Sequence, residues 1–369
     1  MTRVLHIITG LASGGAERQL ASLLKHLPES CDVVCLTNPG KVADRIRADG
    51  FPVRDLAMPS NKDVRAVLEL TGLIREGRYD LVHTHLYRAH LYGRLAARLA
   101  GVKAIVATEH SLGHTLIEGR PKDRPGVRLI YRAAERLGRA TIAVSPTVAE
   151  YLRAWGIERV SVIPNGIDVA DFRYDEPARQ QARKVVGIAP DAVVVGAVGR
   201  LEASKQFDVL IEAVAGIQQA VLLLVGAGPE RERLEILAAR QMPGRALFTG
   251  DVGGGALSIK DLLSAMDVFA SPSAEETFGL AALEAVSCGL PVVYADSPAL
   301  DGLDDPDWRC VKVPSLAGPF HEALTYLLDR APLDRSTPPE SLSRYGIAEQ
   351  AARISELYRR VLDGAPVPS

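Results

Sequence analysis

Two cations five positions apart, Arg200 and Lys205, stand directly after an apolar run at 193–199, in the order Gly199-Arg-Leu-Glu-Ala-Ser-Lys205. A guanidinium offers a planar fork and an ammonium a point charge, so the two together suit a pair of linked phosphates. Solvated surface cations are the competing reading, because loops are usually polar. Two carboxylates, Glu276 and Glu284, occupy a second stretch, 271–293, that reads as strand end, loop, helix and next strand. The spacing predicts a helix from near Gly279 to Gly289, with Glu276 before it and Glu284 in its second turn. A carboxylate in the buried middle of a helix is costly unless something polar faces it. Two ribose hydroxyls would be suitable donors. The N–H groups of Phe278, Gly279 and Leu280 open the helix and can meet sugar hydroxyls or a phosphate. A capping glutamate followed by a solvated face is the alternative.

A third segment, Gly10-Leu-Ala-Ser-Gly14-Gly15-Ala-Glu17, runs from a strand into a helix. Its glycines permit close backbone approach, and the helix start suits an anion. It is neither a G-x-G-x-x-G fingerprint nor a P-loop, and a plain strand–helix turn explains it equally well. His83 and His85 lie two apart at a strand end and point to one side. His110 and His114 are close in sequence, but if the strand continues Glu109 points away from His110, and no compact ligand set emerges. Hydrogen-bonded strand-end histidines are the expectation. Cys31 and Cys35 lack the second ligand pair of a zinc site, and Cys288 and Cys310 also fall in or beside apolar runs; buried reduced thiols are expected.

The elements that position these residues alternate. Strand-like runs at 4–9, 32–37, 81–85, 104–109 and 141–145 are separated by amphipathic stretches at 16–27, 64–75, 91–100 and 127–137. After Val160-Ser-Val-Ile-Pro-Asn-Gly166-Ile-Asp comes a polar, Pro-containing stretch to about Pro190. The cycle then restarts with runs at 193–199, 221–226, 246–250, 268–271 and 291–295, and helices at 208–215 and 231–239. This is an α/β pattern of two Rossmann-like doubly wound domains, 1–165 and 190–345. The helix 347–362 has no place in the second sheet and is expected to cross back to the first. Open parallel sheets bind ligands at the carboxyl ends of their strands, so two such domains facing a cleft put every segment above at one locus.

The chain has 369 residues, 47% hydrophobic and 24% charged, with a formal net charge of -2. That suits two soluble domains and gives no bulk field for nucleic acid. The N-terminus enters a strand without a signal-peptide pattern, and no apolar stretch is long enough to span a bilayer, so a cytoplasmic location is the default. A basic stretch at 119–139 carries Arg120, Lys122, Arg124, Arg128, Arg132, Arg136 and Arg139, of which Arg128, Arg132 and Arg136 share a helical face. A solvated face, a phosphate-bearing acceptor and an anionic membrane surface all fit it.

Together these motifs resemble the retaining GT-B glycosyltransferases of glycosyltransferase family 4. The resemblance rests on the E-x7-E pair Glu276 and Glu284, GRLEASK, VIPNGID at the junction and GGAE in the first loop, in the right order over nearly the whole chain. It implies transfer of a sugar from a nucleotide-diphosphate sugar, most often a UDP-sugar, to a hydroxyl acceptor that is a small molecule, a glycan or lipid-linked. Gly14 and Gly15 would line the donor phosphates, and Arg200 and Lys205 would neutralise the diphosphate. Glu284 would hold the ribose, and Val252, in Gly250-Asp251-Val252, would lie against the base. Glu276, Thr277 and the backbone of Phe278, Gly279 and Leu280 would hold the sugar, with His110 near it and the acceptor. No metal and no other cofactor is implied. An epimerase or hydrolase on the same scaffold is the alternative; it needs carboxylates as general acid and base. The segment Tyr294-Ala-Asp-Ser-Pro-Ala-Leu-Asp-Gly-Leu departs from the family's glycine-rich turn and glutamate. Asp305-Pro306-Asp307 matches a D-x-D metal pattern but reads as a turn, as do Asp304 and Trp308 beside it.

Overall fold

The computed structural model describes residues 1–12, 14–59, 63–113, 116, 117, 120, 121, 125–252, 257–303, 309–330, 335 and 339–367. The 304–308 stretch, His114, Lys122 and Arg124 lie outside the described residues. The chain divides into two compact units, one of Met1–Gly166 with Tyr345–Ser369, the other of Ile167–Arg344.

The first unit runs β1 (Arg3–Ile8), α1 (Gly15–Leu24), β2 (Ser30–Cys35), α2 (Lys41–Ala48), β3 (Val53–Asp55), α3 (Arg65–Gly77), β4 (Leu81–His85), α4 (Tyr87–Ala100) and β5 (Ala104–Glu109). A small β6 (Leu116–Ile117) and β7 (Arg120–Pro121) pair follows, then α5 (Pro125–Glu135), β8 (Ala140–Ala143), α6 (Pro146–Ala154) and β9 (Val160–Val162). Its parallel sheet has the order β3-β2-β1-β4-β5-β8-β9. The chain leaves β1 for β2 on one side and returns to β4 on the other, which makes the β1–β4 end a switch point.

The second unit runs α7 (Glu176–Val186), β10 (Val193–Val198), α8 (Phe207–Ala215), β11 (Ala220–Val225), α9 (Arg231–Gln241), β12 (Ala246–Phe248), α10 (Ile259–Ala265) and β13 (Val268–Ser271). It continues with α11 (Leu280–Ser287), β14 (Val292–Tyr294), α12 (Pro298–Asp301), β15 (Cys310–Lys312) and α13 (Ala317–Leu328). Its sheet order is β12-β11-β10-β13-β14-β15, so the switch point lies between β10 and β13. The runs VVVGAV and AVLLLV are buried on both faces, as central parallel strands must be.

The last helix, α14 (Ile347–Leu362), packs in the first unit's core through Ile347, Ala351, Ile354, Leu357, Tyr358 and Val361. Burying each large side chain contributes about 1.5–3 kcal/mol. Gln350 ties its start to that unit, accepting from Gly166 N (3.0 Å) and Gln19 Nε2 (2.7 Å).

Residues 176–186, expected as part of a polar connecting stretch, form α7. Asp175 caps it by accepting from Ala178 N (2.7 Å), and Pro177 lies in its first turn, so the proline favours the helix instead of breaking it. Its buried Arg183 donates to Asp267 Oδ2 (2.9 Å) and to the carbonyls of Ala265, Pro190 and Ala192.

Candidate active site

In the second unit the loops that follow β10, β11 and β13 are bound to one another. Gly199 N donates to Val225 O (3.0 Å), and Leu201 N to Ala227 O (2.9 Å). That approach requires glycine at Gly226, whose φ is +139° and whose Cβ would lie 1.9 Å from Gly199 O. After Gly199 and Arg200 a 3-10 turn at Ala203–Lys205 ends on Gln206, a left-handed residue with φ 50°. Gln206 Oε1 accepts from Ala274 N (3.0 Å) and Ser315 Oγ (2.9 Å), so one side chain holds the β10 loop against the β13 loop.

Lys205 and Glu276 meet across this switch point, Nζ to Oε1 at 2.5 Å, both largely screened from solvent. Arg200 is instead 64% exposed and reaches Glu202 Oε1 at 2.8 Å. An ion pair between neighbouring exposed side chains fixes a guanidinium weakly.

Glu276 N donates to Asp296 Oδ2 (2.7 Å), and the Asp296 carboxyl is raised, chiefly by burial and also by Asp301 and Glu276. Thr277 is partly exposed and Phe278 is buried. Gly279 starts α11 with φ 94°, and a Cβ there would lie 2.2 Å from Ser297 Oγ. Only glycine fits, and the first turn of α11, from Leu280, carries no side-chain cap. Glu284 sits in the buried middle of α11, 9% exposed. Val252 is partly exposed beyond Gly250, which bridges to Gly226 at the end of β11. The second unit thus collects Arg200, Lys205, Glu276, Thr277, Phe278, Gly279, Leu280 and Glu284 on the loops of β10 and β13, with Val252 on the β12 side.

The other expected residues, Gly14, Gly15 and His110, belong to the first unit. Gly14 caps α1, and the Glu17 carboxylate lies where its Cβ would be, Oε2 at 2.2 Å. An anion at this helix start must displace that carboxylate. His110 follows β5 in a turn fixed by Glu109, whose Oε1 accepts from Ser111 N (2.9 Å) and Ser111 Oγ (3.2 Å). Tyr131 donates to its Oε2 (2.9 Å), and His90 Nε2 is 3.5 Å away. Burial alone would raise the Glu109 carboxyl; the contacts with His90, Ser111 and Tyr131 outweigh it and push it down to about 2.

On the other face of the same sheet three histidines form a compact group that sequence spacing does not reveal. His6 is paired in register with His83, and His85 with Ile8, and ligand atoms of His6, His83 and His85 lie within 4.8 Å of one another. His83 has both nitrogens engaged, Nδ1 with Tyr358 OH (2.5 Å) and Nε2 with Thr108 Oγ1 (2.7 Å). A metal there would have to break one of those contacts, so the group reads as a hydrogen-bonded cluster. Burial lowers the imidazoles of His6, His83, His85 and His110, to about 3 for His6 and about 4 for His110.

Part of the basic stretch is tied down: Arg128 donates to Ala154 O (3.0 Å), at the end of α6. Among the described residues no disulfide joins the cysteines, and burial pushes the thiols of Cys31, Cys35 and Cys288 up to about 12. No helix among the described residues is long and apolar enough to cross a membrane.

Residues 13–171 match the model of Glycosyltransferase Family 4, and residues 192–330 that of Glycosyl transferases group 1. A 2-deoxystreptamine N-acetyl-D-glucosaminyltransferase of Streptomyces fradiae is 30% identical, with 94% of this chain and 91% of that protein covered. A D-inositol 3-phosphate glycosyltransferase of Actinosynnema mirum is 33% identical over 62% of this chain, and the match spans only 59% of that protein. Among solved structures, Anabaena HepE in complex with UDP and glucose is similar, with a TM-score of 0.82 at 21% identity over 96% of this chain and 99% of HepE. That likeness establishes the fold, which is GT-B.

Proposed function

The chain belongs to glycosyltransferase family 4 and is a transferase, and from that premise we propose that it transfers a sugar from a UDP-sugar to a hydroxyl acceptor with retention of anomeric configuration. The observation that carries the reading is the Lys205–Glu276 pair at the β10–β13 switch point, with the buried Glu284 of α11 a few residues further along the chain. A cation for phosphate, a carboxylate for sugar hydroxyls and a carboxylate for ribose stand at the sheet end where open α/β folds bind ligands. The UDP bound to HepE supports uracil as the base.

In this reading Arg200 and Lys205 bind the diphosphate, exchanging Glu202 and Glu276 for phosphate oxygens. The sugar C1–O bond breaks and its electron pair passes to the β-phosphate oxygen, where the two cations neutralise the growing charge. The acceptor oxygen bonds to C1 on the face that the diphosphate leaves, and its proton passes to the departing phosphate oxygen. No protein general base is required, and no metal, because side-chain cations supply the positive charge. Glu276 and the start of α11 hold the sugar; Glu284 holds the ribose; Val252 lies against the base. Gly14, Gly15 and His110 serve from the first unit.

The acceptor is a small molecule, a glycan or a lipid-linked glycan. Exposed Leu129 and Ile130 on α5, beside Arg128 and Arg136, support peripheral contact with an anionic membrane from the cytoplasmic side. Cysteines buried outside any disulfide, Cys31, Cys35 and Cys288, suit that reducing compartment.

The test is incubation with a panel of UDP-sugars, with and without simple hydroxyl acceptors, followed by NMR of the product anomer. Acceptor-dependent formation of a glycoside with the donor's configuration is expected. An isomerised nucleotide sugar, or a glycoside of inverted configuration, would overturn the reading.

A further inference from the structure

The segment after β14, Ala295-Asp-Ser-Pro-Ala299, has no part in the transfer described above, yet it holds both ends of the short stretch that carries Glu276. Asp296 Oδ2 accepts from Glu276 N (2.7 Å). Two residues on, Phe278 O accepts from Ser297 Oγ (3.3 Å) and from Ala299 N (2.9 Å). Ser297 is fully buried and caps α12 by accepting from Leu300 N (3.4 Å), so its own place is set by a helix start. Ala295 N donates to Ser271 O (3.0 Å), which keeps the end of β14 beside the end of β13. One turn thus templates the backbone of residues 276–278. Its two carboxylates are divided: Asp301 is taken by Tyr294 OH (3.0 Å) and Lys312 Nζ (2.7 Å), and Asp296 serves the Glu276 loop.

Glu276 is therefore anchored twice, by Lys205 at its carboxylate and by Asp296 at its backbone N–H. Donor binding treats the two anchors differently. Phosphate takes the ammonium of Lys205, so the carboxylate loses that anchor at the moment it has to meet sugar hydroxyls. The Asp296 bond uses no group that the nucleotide competes for, and it persists. A hydrogen bond to a charged acceptor is also about twice as strong as a neutral one. A residue fixed in advance at its backbone costs the sugar less ordering when it binds.

We propose that Asp296 is a positioning residue for the donor sugar: through the Glu276 N–H it keeps the Glu276 carboxylate in place once Lys205 has gone to the diphosphate. The inference rests on the proposed UDP-sugar donor and on Glu276 as its sugar contact. Because Glu276 N–H is already taken, the carboxylate is that residue's contact with the sugar. Loss of Asp296 is then felt by a ligand that carries a sugar and not by the nucleotide alone, a split that a general prop of the fold would not give.

The test is calorimetric titration of the full chain with UDP and with UDP-glucose, UDP-galactose and UDP-N-acetylglucosamine, on wild type, Asp296→Ala and Asp296→Asn. Asp296→Ala is expected to bind the UDP-sugars about tenfold more weakly than wild type, while its affinity for UDP stays within about twofold. Asp296→Asn, whose side-chain carbonyl still accepts from Glu276 N, is expected to bind the UDP-sugars within about threefold of wild type. Unchanged binding of the UDP-sugars by Asp296→Ala, or a loss that falls equally on UDP, would overturn the proposal. So would an Asp296→Asn variant as weak as Asp296→Ala. A wild type that binds none of the UDP-sugars fails before any variant is compared; that result overturns the donor reading itself, and this inference with it.

Discussion

Lys205 Nζ lies 2.5 Å from Glu276 Oε1, which joins the loop after β10 to the loop after β13 at the point where the sheet order reverses. A cation and a carboxylate so placed are each other's counter-ions until a ligand separates them. A nucleotide sugar would do so by giving the ammonium to phosphate and the carboxylate to hydroxyls. Lys205→Met should therefore lower kcat by about a hundredfold to a thousandfold, the usual cost of removing one donor to a developing anion, with a smaller change in KM. Steady-state rates of UDP release decide it; a kcat within twofold of wild type would remove Lys205 from the transfer step.

Gly279→Ala tests the local geometry. A side chain there is strained by φ 94° and also meets Ser297 Oγ at 2.2 Å. Gly50 has a similar φ of 91° with nothing within 4 Å of its Cβ position, so Gly50→Ala isolates the backbone part. Urea unfolding should show a loss of about 1–2 kcal/mol for Gly50→Ala and a clearly larger one for Gly279→Ala. Equal losses would mean that Ser297 yields without cost.

The candidate site was partly legible in the chain. Arg200, Lys205, Glu276 and Glu284 stand out because each follows an apolar run at a spacing that a turn or a helix makes meaningful. Asp296 and Gln206 do not. Asp296 acts through the backbone N–H of Glu276, and Gln206 through Ala274 N and Ser315 Oγ; these donors lie on distant segments, and nothing local marks such bonds. His6 sits inside the run Val4-Leu-His-Ile-Ile and reads as core; only the order β2-β1-β4 puts it beside His83 and His85. In the fold, the long central strands were plain. The edge strand β3 is three residues with exposed Arg54 and Asp55, too short and polar for a periodicity to show. The helix α7 was hidden by its polar composition and by Pro177, which from sequence alone reads as a breaker.

Acid should destabilise the first unit early. The histidines His6, His83, His85, His90 and His110 have folded pKa values below the ordinary 6.5. Below that value the unfolded chain binds protons that the folded chain refuses, so their contribution is complete above pH 6.5 and is lost as pH falls toward the folded values. Each costs about 1.4 kcal/mol per pH unit in that window. Glu109, pushed down to about 2, adds its own loss below pH 4.5. Urea midpoints at pH 7.5, 6 and 5 should fall steeply, and His6→Asn should make the fall shallower by about one histidine's share. A flat profile would mean that these rings are not held neutral.

The α5 surface makes a separate prediction. Leu129 is 68% exposed and Ile130 50%. If they enter a membrane, the protein should co-sediment with vesicles of phosphatidylglycerol more than with phosphatidylcholine, and a Leu129→Glu, Ile130→Glu double variant should lose about tenfold or more in affinity. Sedimentation indifferent to lipid charge and to both substitutions would leave α5 a plain solvated helix.

The most direct test of the central claim is a thermal-shift titration of the full chain with UDP, GDP, TDP, ADP and NAD in the presence of EDTA, on wild type and Glu284→Ala. Binding to the native state must raise the melting temperature. UDP should stabilise the wild type without a divalent metal, and Glu284→Ala should bind it at least about tenfold more weakly. A well-folded wild type stabilised by NAD alone, or by no nucleotide, would contradict a nucleotide-sugar site at the β10–β13 switch point.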